Sequence, residues 1–412
     1  MHSPRALRVV IASRIFSPEP SAASIMLEAI ARRFRDAGHE VTVLTTKPPR
    51  GIAATTIDGV TISRAPVRRD AQGYVRGYLS YMSFDLPLAV RLLTTRRADV
   101  YVVEPPPTTG AVTRVITALL RRPYVYDAAD LWSDAAQMVT SSTVVIGLLR
   151  RVELFALRGA AHAFAISTGL VDRLGELAVR TPTTVIGFGV DTEAFGYRPA
   201  GETPPTERSA DVPAAPYLIY PGSYSEWHGA GIFVEAFARL RAEHPELRLL
   251  FVGNGADRPA LERRCAELKL DGVEFRDPVE APRLNTLLTN AVLSLASLKP
   301  GQGYDYAFTT KIYSSLAAGC PVVFTGTGPT IAFIDETSRE HPVGVAVDYS
   351  TDAVVDALRA AIAAPVDAER RRALSDWARD RFSIERAAGI VVETSTGIVA
   401  ARRARRGGLT ES

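Results

Sequence analysis

Three stretches of the chain place glycine at the end of an apolar run and just ahead of a helical pattern. They are "YPGSYSEWHGAG" at 220–231, "FVGNGADRP" at 251–259 and "FTGTGPT" at 324–330. Glycine lets a backbone approach a ligand closely, and the exposed N–H groups of a helix start favour an anion. Gly222 in the first turn, and Gly253 and Asn254 in the second, therefore read as contacts for a phosphate-bearing ligand. Asp257 and Pro259 suit the cap and first turn of the helix that follows. His228 stands near a helix start, where it could meet a phosphate or be a surface histidine of an ordinary strand-to-helix turn.

A second kind of chemistry is offered by "YVYDAADLWSD" at 124–134. Asp127, Asp130 and Asp134 follow a strand-like run, where a carboxylate could take a sugar hydroxyl or act as a base. Asp127 and Asp130 are the catalytic candidates, with helix capping by Asp130 as the plain alternative. Glu104 in "VVEPPPTTGA" ends another such run, but its three prolines suggest a rigid turn that sets shape. His39, just before a strand, reads as a turn histidine. The six histidines show no paired spacing, and no two aspartates are separated by one residue. A divalent metal holding a diphosphate is therefore not expected. A Gly-x-Ser-x-Gly elbow and a Gly-Lys-Ser/Thr phosphate loop are absent as well. The basic-aromatic stretch "RAPVRRDAQGYVRGYLSYMSF" at 64–84, with Arg68, Arg69 and Arg76, fits a solvated loop and amphipathic helix. The alternative is contact with an anionic membrane face or a phosphate-bearing acceptor.

These residues need a frame that brings strand ends together. Strand patterns at Leu7–Ala12, Val41–Thr45, Val60–Arg64, Val100–Glu104, Tyr124–Ala128, Ala163–Ser167 and Thr184–Gly187 alternate with helical ones. In "AASIMLEAIARRFRDAG" apolar residues recur at helical spacing and Gly38 is placed to end the helix. The proline-rich "YRPAGETPPTERSADVPAAP" at 197–216 reads as a linker. Beyond it the alternation restarts in "PYLIYPG", "LRLLFVGNG", "VEFRD", "AVLSLASL", "CPVVFTG" and "VGVAVDY". The expectation is an α/β protein of two doubly wound, Rossmann-like domains, 1–196 and 217–380, facing an interdomain cleft. Residues 381–412 would form a C-terminal helix, able to pack back on the first domain, and a basic tail.

A chain of 412 residues is too long for one ordinary core, which agrees with two domains. Its formal net charge of +3 lacks the concentrated basic face of a nucleic-acid binder. Two cysteines, Cys265 and Cys320, suit a reducing compartment. No window reaches the roughly 18 uninterrupted apolar residues of a membrane span, and the first apolar run is too short for a signal peptide. The expected location is cytoplasmic, with peripheral contact at the inner membrane face left open.

In this order and spacing the pieces resemble the family-4 retaining glycosyltransferases of the GT-B fold. The nearest branch is the bacterial group that builds surface polysaccharides and amino-sugar glycans. "FSPEPSAASIMLEAIARRFRDAGHEVTVLTTKP" is similar to the family's opening strand, loop, helix and strand. "DAADLWSD" resembles the branch's Asp-Leu-Trp-Pro signature, and "VIGFGVDTEAF" its Asn-Gly-Val-Asp stretch. "SLKPGQGYDYAFTTKIYSSLAAGCPVVFTGTG" is similar to its donor-site block. The resemblance covers nearly the whole chain.

It implies metal-independent transfer of a sugar from a nucleotide-sugar donor, with retention, to a cell-envelope or natural-product acceptor. That acceptor would be a glycan, lipid-linked or a small molecule, and no cofactor is implied. The second domain would hold the donor and the first the acceptor, with closure excluding water. Lys299 and Lys311 match the branch's lysines and, with Arg276, complete the donor-side set. Elsewhere the chain departs from the pattern. Ser223 and His228 stand where the family usually has an arginine and a lysine on the diphosphate. Tyr306, beside Asp305, and Ser314 stand where it has two glutamates. On this reading Lys299, Lys311 and His228 carry the phosphates, while Asp305 and Ser314 bind hydroxyls. The alternatives are a donor of a different kind, and a catalytically degenerate homologue that binds nucleotide or scaffolds a partner.

Overall fold

The computed structural model describes residues 5–407 apart from 20, 70–74, 76–77, 139, 200–211 and 302. Arg76 and residues 70–74 of the basic-aromatic stretch, most of the expected linker, and the end of the basic tail thus lie outside the described residues.

The chain divides into two compact units, Met1–Gly189 with Ile384–Ser412, and Val190–Ser383. The first holds a sheet of seven strands: β1 Arg8–Ala12, β2 Glu40–Thr46, β3 Val60–Ala65, β4 Val100–Val103, β5 Tyr124–Ala128, β6 His162–Ala165 and β7 Thr183–Val185. All pairs are parallel, in the order β3-β2-β1-β4-β5-β6-β7. The central strand, Arg-Val-Val-Ile-Ala, is apolar almost throughout because it is covered on both faces. Val9 sits between Val41 and Val100 in register.

Right-handed crossovers put successive helices on opposite faces once the strand order reverses at β1 and β4. On one face, helix Ala22–Asp36 packs Leu27, Ile30 and Phe34 with Ala388 and Val391 of the C-terminal helix Ile384–Gly407. Helices Tyr78–Thr94, Pro107–Leu119 and Thr143–Gly159 lie side by side on the other. The C-terminal helix therefore belongs to the first unit, although the whole second unit precedes it.

The second unit has six parallel strands: β8 Tyr217–Pro221, β9 Arg248–Val252, β10 Val273–Arg276, β11 Leu293–Leu298, β12 Val322–Gly326 and β13 Gly344–Val347. Their order is β10-β9-β8-β11-β12-β13. Both sheets are thus the expected doubly wound kind, with reversals at β1/β4 and at β8/β11. The carboxyl edge beside such a reversal is where open α/β sheets bind ligands.

The first unit closes at Gly189, earlier than the pattern of proline and polar residues suggests. Residues 190–197 are tied to the second unit by long-range contacts that local composition does not encode. The Val190 N–H donates to the Phe382 carbonyl at 2.7 Å, and Asn285 both donates to and accepts from the Gly196 backbone. Tyr197 N–H donates to Ser375 Oγ at 3.0 Å.

Candidate active site

At the carboxyl edge of the first sheet, β1, β4 and β5 each deliver polar side chains to one place. Ser13 and Arg14 follow β1, Glu104 follows β4, and Asp127 and Asp130 come from β5 and the turn beyond it. Asp127 is only 5% exposed and Glu104 only 6%. Ser13 Oγ donates to Glu104 Oε2 at 2.8 Å. Burial and the neighbouring Asp127 and Asp130 push the Glu104 carboxyl up to about 8, against the pull of Arg14 and Ser13. Burial and the neighbouring Asp130 raise Asp127 to about 7, while Asp130 itself stands exposed at the rim of the cluster. Glu104 and Asp127 are thus both held toward their protonated forms, beside an exposed Asp130. Such a graded set can give and take a proton or bind hydroxyls.

Arg14 supplies the positive charge. Its guanidinium carbon lies 5.2 Å from the Tyr81 ring centroid and 5.5 Å from that of Trp132. Glu104 is therefore one of the group, whereas its prolines suggested a feature of shape alone. Its place at the end of a strand, with Asp127 at the end of the adjacent strand, was the available signal. Arg14 carried no such signal, since one arginine after a strand is commonplace.

Asp130 does not cap the short helix Trp132–Ala135. Glu153, reaching from helix Thr143–Gly159, accepts from the Trp132 and Ser133 N–H groups at 2.7 and 3.2 Å instead. Asp134 also turns away from the cluster. It is paired with Arg150 at 2.6 Å and Arg173 at 2.8 Å, and its side chain is 2% exposed. Breaking a buried pair leaves charge uncompensated, at a cost of about 3 kcal/mol. Asp134→Ala is accordingly expected to lower the melting temperature by several degrees, while Asp130→Ala leaves it near the wild-type value. Calorimetric melting of the two variants checks this.

In the second unit the three glycine turns lie after β8, β9 and β12, as their spacing requires. Gly222 has φ +89°, and Gly253 has φ +149° with its amide donating to the Arg276 carbonyl at 3.0 Å. A Cβ on Gly253 would fall 1.9 Å from the Gly222 oxygen, so the two turns pack backbone against backbone.

Lys311, first residue of helix Lys311–Ala317, crosses to this cradle. Its Nζ donates to the Ser223 carbonyl at 3.1 Å and lies 4.0 Å from the Tyr220 ring centroid. Burial pushes its ammonium down to about 7.

His228 is buried and neutral. Burial first, then Lys311, lowers it to about 3. Its Nδ1 accepts from the Ser225 N–H at 3.0 Å, so Nε2 carries the hydrogen. It can donate a hydrogen bond but adds no charge. Trp227 stacks on it at 3.6 Å. The Lys299 N–H donates to the Trp227 carbonyl at 2.9 Å, which places Lys299 at the same turn.

The other donor-side candidates are held differently. Asn254 is exposed, and its Oδ1 accepts from the Gly255 N–H at 2.8 Å. The Arg276 guanidinium is engaged by Glu274 at 2.7 Å, while its backbone joins the cradle. Asp305 is exposed and accepts from the Gly301 N–H at 3.0 Å. Ser314 Oγ donates to the Lys311 carbonyl one turn back at 2.9 Å. The structure therefore brings Gly222, Ser223, His228, Gly253, Lys299 and Lys311 together around one turn. Asp305 and Ser314 are occupied by local backbone bonds. Cys265 and Cys320 are both buried and free.

Two Rossmann-like units with parallel sheets are the architecture of GT-B glycosyl-transfer enzymes. Residues 22–189 match a glycosyl transferase 4-like domain, and residues 215–364 match the glycosyl transferases group 1 model. A curated relative from Mycobacterium tuberculosis is a GDP-mannose-dependent alpha-(1-6)-phosphatidylinositol dimannoside mannosyltransferase. It is 25% identical over 407 residues, covering 94% of this chain and 96% of the relative. Among solved structures, sucrose-phosphate synthase from Thermosynechococcus elongatus superposes with a TM-score of 0.73 at 18% identity, covering 96% of this chain and all of that one. HepE of Anabaena in complex with UDP-glucose gives a TM-score of 0.67 at 17% identity, covering 94% and 99%. The chain belongs to the family-4 glycosyltransferases of the GT-B fold. It is an enzyme of glycosyl transfer, of the kind supplied by a nucleotide-sugar donor. Among the described residues no helix is long and apolar enough to cross a membrane.

Proposed function

We propose that this enzyme transfers a sugar with retention, and without a metal, from a nucleoside diphosphate sugar to a hydroxyl of a cell-envelope or natural-product acceptor. The observation that carries the reading is Lys311 Nζ, drawn over the Gly222–Ser223 turn with its charge short of partners. A metal-free leaving diphosphate needs cationic side chains and backbone N–H groups. Lys311 and Lys299 would supply the first, the glycine turns the second, and His228 an uncharged N–H. The Glu104, Asp127 and Asp130 cluster of the first unit would orient the acceptor hydroxyl. The mannosyltransferase relative, which uses GDP-mannose and a phosphoinositide acceptor by name, supports a guanine nucleotide donor and a lipid-linked acceptor as first choices.

Ser314 gives its hydroxyl hydrogen to the backbone and one Asp305 oxygen accepts from the Gly301 N–H, which favours a second reading, nucleotide binding without turnover. Calorimetry with GDP-mannose, UDP-glucose and ADP-glucose, followed by donor hydrolysis on each binder, separates the two. Binding with slow hydrolysis is expected of the transferase. Binding with no hydrolysis, and no transfer to any acceptor, supports the binding-only reading. No binding across the panel would remove the donor site altogether.

A further inference from the structure

We propose that helices Tyr78–Thr94, Pro107–Leu119 and Thr143–Gly159 of the first unit form a docking face for an anionic lipid surface. Large exposed apolar side chains are normal when scattered singly and informative when they gather. Thirteen are exposed among the described residues, and nine of them fall on these three adjacent helices. On the first helix Leu86, Val90 and Leu93 recur at i, i+4 and i+7, one helical stripe with exposures of 62%, 59% and 51%. The second helix adds Val115 and Leu119. The third carries Val144 and Leu148 at 78% and 61%, with Phe155 two turns further on the same side.

Charge selects the occupant. The acidic residues of the three helices are Asp85 and Glu153, and both are buried. Asp85 accepts from Thr109 Oγ1, and Glu153 holds the start of the next short helix, so neither offers charge to the outside. The basic residues are all arginines. Arg150 is paired with Asp134, but Arg151 and Arg158 are exposed on the outer side. Arg158 donates to the Leu177 carbonyl, and Arg114 lies over the Phe155 ring at 4.0 Å, so neither is neutralised by a carboxylate.

A face that is apolar and positive, with no exposed carboxylate, repels a second copy of itself. It matches a surface that offers acyl chains beneath phosphate headgroups. The basic-aromatic stretch at 64–84 is not needed for this assignment. The proposal does not depend on which sugar is transferred, because its readout is partition and not turnover.

The test is co-sedimentation of the full chain with phosphatidylcholine vesicles, with and without phosphatidylglycerol, at low and high salt. Binding is expected only to the anionic vesicles and is expected to weaken in high salt. The double variant V144E/L148E should reduce the bound fraction about tenfold, as two added charges oppose both forces. Arg151→Glu should reduce binding and flatten its salt dependence. These positions are exposed, so melting temperature and nucleotide affinity should stay at wild-type values in the same samples. Absence of binding by the wild-type chain overturns the proposal. So does undiminished binding by V144E/L148E, which would point to the arginine-rich C-terminus. A wild-type dimer in solution that V144E/L148E dissolves, without vesicle binding, would assign the face to self-association instead.

Discussion

Lys311→Ala is expected to cost the enzyme its donor. A charge-assisted hydrogen bond to phosphate is worth about 1.5–3 kcal/mol, or roughly 10- to 150-fold in affinity. The Lys311 side chain is already seated over the glycine cradle, so the loss should approach the upper figure. The fold should survive the change, because Lys311 is only partly buried and its ammonium donates to a single backbone carbonyl, that of Ser223. Calorimetry with the nucleotide diphosphate and with the full donor measures the effect. Unchanged affinity would take lysine out of the donor site.

The same residue predicts a pH dependence. In the free protein burial holds Lys311 at about 7, so above that pH the ammonium is mostly deprotonated. A bound diphosphate favours the charged form and returns the pKa toward its ordinary value. Binding must therefore take up a proton above neutrality. Affinity should be flat below about pH 6 and weaken by up to tenfold per unit above about pH 7. Titrations in buffers of different ionisation enthalpy read the proton uptake directly. A constant affinity from mildly acidic to mildly alkaline pH would show that Lys311 does not change its ionisation on binding.

Asp127→Asn is the second large effect. A positioned acid–base group contributes about 10²- to 10⁴-fold, and the loss should appear in kcat/KM for transfer. Donor affinity should not move, since Asp127 belongs to the first unit and the phosphate cradle to the second. Stability should move the other way from activity. Folded-state values for the buried Glu104 and Asp127 lie above their ordinary ones. Their contribution is present below the unfolded-state values near pH 4 and is lost as pH rises through about 7 to 8. Asn at 127 removes one of these two ionisations, so the decline in melting temperature between mildly acidic and neutral pH should become shallower. A variant with full transfer activity would leave Asp127 a structural residue.

Legibility followed the range of the interactions involved. The inner strands were readable because a parallel sheet covered on both faces demands runs such as Val9–Ile11 and Leu249–Val252. The glycine turns were readable because Gly222 and Gly253 adopt backbone angles few other residues tolerate. Lys311 entered through the family resemblance, and the structure supplied its reach to Ser223. What local pattern could not supply was the company each carboxylate keeps. Asp127, Asp130 and Asp134 look alike in the string, yet Arg150 and Arg173 claim Asp134 from positions 16 and 39 residues away. The company of Glu104 was hidden for the same reason, since Ser13 lies 91 residues before it. The end of the first unit at Gly189 was hidden because Asn285 and Ser375 hold residues 196 and 197 from far along the chain.

The return of Ile384–Gly407 to the first unit has a consequence for synthesis. The second unit is one continuous segment and can condense as soon as it clears the ribosome. The first unit cannot finish until the last helix arrives to cover Leu27, Ile30 and Phe34. The half that begins first is therefore completed last, and a chain stopped before Ile384 would release a folded second unit tethered to a first unit whose core stands open.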